Sequence, residues 1–340
     1  MTLTQAPKPV PTILSGITSS GQPTLGNYIG AYLPFSRFLK GQTHRVFMMV
    51  ADHHAITVRQ DPKEFQANTL AGAAWYMASG LDPKLCTLFI QSQVPEHAQL
   101  GWILTTFTQM GELNRMTQFK DKGKGDNEAV GAGLYSYPCL MAADILLYDA
   151  TEVPVGDDQI QHVELCRDIA TRMNNLFGKD TFVVPKAVKP VAGARVMDLQ
   201  EPNRKMSKSR PGAGTVLLQD TPDEIAKKMK RAVTDTVGNV AYDPTNQAGL
   251  ANLMEIVAAC RGTTPQAIAA EFAGSQYGPL KNAVAEAVVE TLKPVQAEYA
   301  RLMADKAELH RVLVKGADAA SAHAAQTLRR VMDKVGYVLR

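Results

Sequence analysis

Two stretches of this 340-residue chain carry the residue types that chemistry on phosphates requires. The first, SGITSSGQPTLGNYIGA from Ser15 to Ala31, places four glycines in seventeen residues behind the apolar run Thr12 to Leu14. Glycine there lets the backbone approach a ligand closely, and a helix that follows offers unpaired N–H groups to an anion. The sequence contains neither the G-x-G-x-x-G dinucleotide pattern nor the G-x-x-x-x-G-K-[ST] phosphate loop. The stretch is therefore either a nucleotide cradle of another kind or a turn that serves only chain geometry. The second, NRKMSKSR from Asn203 to Arg210, packs four basic residues and two serines into eight positions ahead of Pro211, Gly212 and Gly214. It reads as a mobile cationic loop, able to fold over phosphates or simply to sit in solvent.

A third signal is a lone charge. Asp144 interrupts the apolar run CLMAADILLYDA, residues 139–150. An ionised side chain in that setting is expensive unless a neighbouring backbone group, an arginine or a ligand partners it.

These residues need elements to hold them. Apolar runs too short for helices recur between longer amphipathic stretches: TILSG at 12, VFMMVAD at 46, TLFIQS at 87, VPVG at 153 and FVVP at 182. Strands alternating with helices predict an α/β fold with a parallel sheet. Asp61-Pro62-Lys63-Glu64 predicts a helix start with a capping box, running to about Ser79 and stopped by Gly80. After Lys205 the texture changes. Thr221-Pro222-Asp223-Glu224 repeats the capping signature, Thr264-Pro265 starts another helix, and 280–335 reads as helical with breaks at Gly262, Gly278 and Gly316.

Composition bounds the rest. At 45% hydrophobic the chain can bury a substantial core, and a net charge of +3 decides nothing about partners. Cys86, Cys139, Cys166 and Cys260 lie far apart, which predicts reduced, packed thiols of a cytosolic protein and no zinc site or iron–sulfur cluster. The opening MTLTQAPKPVP has three prolines and no apolar segment, so it reads as a loose tail. No uncharged apolar run reaches the roughly eighteen residues of a membrane span.

The string Lys205-Met206-Ser207-Lys208-Ser209 matches the KMSKS loop of the class I aminoacyl-tRNA synthetases. TLGN, Thr24 to Asn27, stands where those enzymes carry their His-Ile-Gly-His element. The chain resembles this family over most of its length, and most of all its bacterial-type tryptophanyl branch. The matching strings are GNYIGA (26–31), HAITV (54–58), LFIQS (88–92), GELNRMTQFK (111–120), MAADILLY (141–148), VPVGDDQIQHVELCRD (153–168) and AVTD (232–235). The last sixty residues match in helical character more than in motif.

The resemblance implies a flexible tail at 1–10, a Rossmann-like catalytic domain with a helical insertion at 11–200, and the KMSKS loop with an α-helical anticodon-binding domain at 201–340. It implies activation of L-tryptophan with ATP to tryptophanyl-adenylate and pyrophosphate, then transfer to tRNA(Trp), by a cytoplasmic homodimer joined through residues 70–135. Mg²⁺ would arrive with the ATP as part of the substrate, and neither DNA nor a membrane is an expected partner.

By the same resemblance, Lys205 and Lys208 stabilise the charge that grows on phosphate oxygens in the transition state. ATP would be held by Thr18, Ser19, Ser20, Gly26, Asn27, Lys120, Gly156, Asp157, Asp158 and Val196, with Met206, Ser207 and Ser209 of the loop. Asp157 and Asp158 could instead cap the helix that begins there. Asp144 would accept the indole N–H, with Met141, Gln159, His54, Val153 and Val155 around the ring. One departure stands out. Where the family reads Ser-Gly-Ile-Gln-Pro-Ser-Gly, this chain has Thr18 for the glutamine and Ser19 for the proline. The basic string Lys227-Lys228-Met229-Lys230-Arg231 is either an RNA-facing surface or a solvated one. A tyrosine-activating enzyme and a catalytically idle tRNA-binding paralogue are the competing readings.

Overall fold

The computed structural model describes residues 10–17, 21–116, 131–191, 193–208 and 212–339. Five strands, β1 (Thr12–Ile17), β2 (Arg45–Val50), β3 (Thr87–Ile90), β4 (Glu152–Pro154) and β5 (Lys186–Val188), form one parallel sheet in the order β3-β2-β1-β4-β5. Helices cover both faces, which is why β2 is a continuous apolar run buried from Val46 to Val50. The strand order reverses between β1 and β4. In sheets of this kind the reversal opens a crevice at the carboxyl ends of the strands, where ligands bind.

The helices are α1 (Leu25–Asn27), α2 (Leu33–Lys40), α3 (Asp52–Ala55), α4 (Pro62–Ala78), α5 (Glu96–Phe107), α6 (Met110–Asn114) and α7 (Ala132–Leu146). After them come α8 (Ile160–Phe177), α9 (Pro222–Lys230), α10 (Ala248–Arg261), α11 (Pro265–Glu271), α12 (Tyr277–Ala304) and α13 (Lys306–Val335). Among the described residues none is long and apolar enough to cross a membrane.

Several local expectations hold. Helix α4 spans the stretch read from its cap and ends before Gly80, whose φ of 94° suits glycine. Thr221 and Glu224 form a reciprocal capping box, and Thr264 caps α11. Others are corrected. Asp61 caps α4 alone, accepting from the Lys63 and Glu64 amides. FVVP at 182–185 is not a strand. The Asn174 side chain grips the Phe182 backbone on both its N–H and its carbonyl, anchoring the buried ring over α8, and β5 begins only at Lys186. Gly278 and Gly316 lie inside α12 and α13, and the break between those helices falls at Asp305, which caps α13.

Three apolar clusters result. One fills a face of the sheet with α5, α7, α8 and the last helix, through Ala317, Ala320, Ala324, Leu328 and Val331. A second covers the opposite face, where Leu302, Leu309 and Leu313 meet Val46, Met48 and Leu88. The third joins α9, α10 and α12 to Leu25, Tyr28 and Ile29 beside the glycine-rich stretch. That third core presses TLGN against the KMSKS region.

Candidate active site

A cavity of about 410 Å³ opens at the reversal point, between the end of β1 (Leu14 to Ile17) and the end of β4 with the residues that follow it (Val153 to Gly156). All six residues assigned to the amino acid, Asp144, Met141, Gln159, His54, Val153 and Val155, line it. Gly156 of the nucleotide set lines it too. Tyr137 and Leu134 form a wall that sequence reasoning missed. The signal was present: 137, 141 and 144 lie on one face of α7 at helical spacing.

Asp144 is 1% exposed, and both of its oxygens accept from protein donors. Its Oδ1 accepts from the Gln91 side-chain amide at 2.8 Å and from His97 Nδ1 at 2.6 Å. Its Oδ2 accepts from His54 Nε2 at 2.7 Å. Burial alone would raise this carboxyl's pKa. The two imidazoles more than offset that and hold it well below the usual carboxylate range, so it is ionised and accepts only. Among the described residues neither a backbone group nor an arginine satisfies it. Gln91 and His97 had no assigned role in the sequence, because they reach α7 from a turn and a helix some fifty residues earlier.

His54 is placed by a second buried carboxylate. Asp52, at the start of α3, accepts from the His53 and Ser92 amides at 3.0 and 2.9 Å and from the Ser92 hydroxyl. This clamps α3 to the turn after β3, so His54 and Gln91 converge on Asp144 from the carboxyl ends of the adjacent parallel strands β2 and β3. Tyr137 Oη pairs with His162 Nε2 at 2.6 Å on the other wall, and burial pushes the Tyr137 phenol up to about 12.

Several of the residues expected to hold ATP come together around Thr24 to Asn27. Thr24 and Asn27 close a reciprocal capping box, with Asn27 Oδ1 accepting from Thr24 N at 2.9 Å. The Asn27 acceptor is thus spent within the turn, which leaves its amide N–H groups as the end suited to a phosphate. Gly26 packs against the KMSKS region: a Cβ there would stand 3.4 Å from Met206 Cβ and 3.6 Å from Val196 Cβ, in ordinary contact. Leu25 N donates to Val216 O, and Met206 N donates to Val196 O at 3.1 Å. Asn252 holds Met197 through both its N–H and its carbonyl. Lys205 and Met206 are therefore docked on residues 196 and 197, where the sequence suggested a mobile loop. Lys208 lays its stem over Gly21, and burial pushes its ammonium pKa down.

Asp157 and Asp158 are exposed on a short 3₁₀ turn and cap neither it nor α8. Asp158 accepts instead from the Gln159 side chain at 2.8 Å, and Gly156 makes room for that carboxylate. Thr18, Ser19, Ser20, Lys120 and Ser209 lie outside the described residues. Among the described residues no group of three His, Cys, Asp or Glu side chains is placed to hold a metal ion.

A parallel sheet with this strand order, an acceptor-only carboxylate in a switch-point cavity and a basic loop docked on a glycine-rich helix start together describe an ATP-dependent activating enzyme. Residues 7–293 match the family described as tRNA synthetases class I (W and Y), and the chain belongs to that family. It is 50% identical over 330 residues to the tryptophan–tRNA ligase of Clostridium tetani, covering 96% of each chain. It is 48% identical over 329 residues to that of Clostridium perfringens, covering 96% of this chain and 98% of the other. It also resembles the solved tryptophanyl-tRNA synthetase of Campylobacter jejuni complexed with ADP and tryptophan, with a TM-score of 0.82, 33% identity and coverage of 96% of this chain and 99% of that one.

Proposed function

We propose that the protein activates L-tryptophan with ATP and transfers it to tRNA(Trp), acting as a tryptophan–tRNA ligase. The observation that carries this reading is the ionised, acceptor-only Asp144 in a cavity walled by Met141, Val153 and Val155. An indole offers a flat apolar body and one N–H donor, and that pairing suits it. Tryptophan–tRNA ligases at about half identity over nearly the whole chain, and a relative solved with ADP and tryptophan, support it.

In the first step a tryptophan carboxylate oxygen bonds to the α-phosphorus of ATP as the bond from that phosphorus to the bridging oxygen breaks, and pyrophosphate leaves. No protein nucleophile is needed. Lys205 and Lys208 meet the growing negative charge on the leaving oxygens, while the backbone at Gly26 and the Asn27 amide hold phosphate. Gly156, Asp157 and Asp158 face the ribose, and Val196 lies toward the base. Thr18, Ser19, Ser20, Lys120, Met206, Ser207 and Ser209 complete the ATP contacts on the family pattern, with Mg²⁺ carried on the phosphates. His54 and Gln159 flank the amino acid. In the second step a ribose hydroxyl at the tRNA end attacks the adenylate carbonyl and AMP leaves.

Residues 11–200 form the catalytic domain in this reading, and 201–340 carry the KMSKS loop and the anticodon-binding helices. The enzyme is a cytoplasmic homodimer joined through 70–135, where Trp102 is 67% and Met110 66% exposed. Pyrophosphate exchange measured with each amino acid in turn tests the function. Exchange supported by tryptophan alone is expected. Exchange with tyrosine and not tryptophan would overturn the specificity, and none with any amino acid would favour the idle paralogue.

A further inference from the structure

Behind Asp144 stands a chain of buried groups that the chemistry above does not use. His97 is 0% exposed and does not line the cavity, so it cannot touch substrate. Its Nδ1 contacts Asp144 Oδ1 at 2.6 Å, and its Nε2 contacts Tyr148 Oη at 2.8 Å. An ionised carboxylate only accepts, so Nδ1 must carry the proton, and in the neutral ring Nε2 is then an acceptor. The Tyr148 hydroxyl is the matching donor. Burial first, then Asp144 and Glu96, hold its pKa far above the ordinary phenol range, so it keeps its proton. The Tyr148 ring is itself fixed, stacked on Phe47 at 4.3 Å and against His323 of α13 at 6.0 Å.

The accounting at the carboxylate gives this chain a purpose. Two oxygens offer about four acceptor positions. Gln91 and His97 take both on Oδ1, and His54 takes one on Oδ2. The remaining position is on Oδ2, the oxygen whose protein partner His54 also lines the cavity.

We infer that His97, its ring held from behind by Tyr148, is a positioning residue for amino-acid selection: it locks Asp144 so that the free acceptor position of Oδ2 meets the indole N–H. This rests on the reading of Asp144 as the indole partner. Without His97, Oδ1 loses a donor in a buried site. The carboxylate then rotates to recover hydrogen bonds or takes up a proton, and either change degrades recognition of a donor while sparing the apolar fit to the ring.

The test compares tryptophan with β-(3-benzothienyl)alanine, in which sulfur replaces the indole N–H, in pyrophosphate exchange. The wild type is expected to prefer tryptophan strongly in kcat/KM. His97→Leu should cut that preference about tenfold or more by raising the KM for tryptophan, with the analogue's KM and the KM for ATP unchanged. His97→Asn, whose amide N–H can stand in for Nδ1, should keep most of it. Tyr148→Phe should lower it in the same direction. A folded His97→Leu protein with the wild-type preference would overturn the proposal. Should that variant fail to fold, an unchanged preference in Tyr148→Phe would overturn it. A wild type that treats both substrates alike would remove Asp144 as the indole partner and the positioning role with it.

Discussion

Gly316, in the middle of α13, lies directly against the carbonyl oxygen of Leu88 in β3, and a Cβ built on it would stand 1.7 Å from that oxygen. The last helix reaches the sheet this closely because its inner face carries Ala317, Ala320 and Ala324 as well. Gly316→Ala should therefore cost about 3 kcal/mol, since the helix must move off a backbone atom that cannot yield. Gly278→Ala is the control: nothing lies within 4 Å of its Cβ position, and removing a helical glycine should be neutral or stabilising by up to about 1 kcal/mol. Urea unfolding midpoints compare the two. Equal midpoints would mean that α13 does not rest on β3 as described.

That pair of glycines shows where sequence reasoning stopped. Both read as helix breaks from composition, and only the approach of α13 to Leu88, more than two hundred residues away, separates packing from punctuation. Strands β1 to β4 were legible because buried parallel strands are apolar runs between turn signals, whereas Lys186–Val188 is three residues with no such run. Asp144 was legible as a charge in an apolar helix. Its partners were not, because Gln91 and His97 look like ordinary polar residues until the sheet brings their elements to α7.

The docked lysines should act late in the reaction. Lys208→Ala is expected to lower kcat for pyrophosphate exchange about a hundredfold, from the loss of roughly 3 kcal/mol of transition-state contact, with a much smaller rise in the KM for ATP. Its stem lies over Gly21, in the glycine-rich stretch that also carries Gly26 and Asn27. An unchanged kcat with weakened ATP binding would contradict this role.

The basic string on α9 divides by partner. Met229 is buried, and Lys228 pairs with the buried Asp220 at 2.6 Å, which leaves Lys227, Lys230 and Arg231 exposed. Replacing those three with alanine should raise the KM for tRNA, with pyrophosphate exchange unchanged. It should also flatten the salt dependence of tRNA binding by up to about two units of log–log slope. Lys228→Ala should instead lower stability, because it strands a buried carboxylate. A triple variant that charges tRNA normally at all salt concentrations would assign this face to solvent alone.

Helix α6 leads into the stretch that carries Lys120, and its anchor gives a pH signature. Glu112 receives two N–H groups from Arg172 and the Gln109 amide at 2.9 Å, and Arg172 also reaches the Phe107 carbonyl. Burial pushes the Glu112 pKa up, but the Arg172 hydrogen bonds and charge, with the Gln109 amide and Arg115, outweigh it and lower the pKa overall. A carboxyl whose pKa is depressed on folding contributes stability above its unfolded value, about 4.3, and loses that contribution as pH falls through the folded value. Glu112→Gln removes the charge while keeping the shape. It should cost about 1.5–3 kcal/mol at pH 7, the range for hydrogen bonds to charged groups. The gap to the wild type should then narrow steadily as the pH is taken below about 4. Urea unfolding of both proteins between pH 7 and pH 3 reads this directly. A gap that stays constant across that range would mean that the Glu112–Arg172 pair holds α6 by shape rather than by charge.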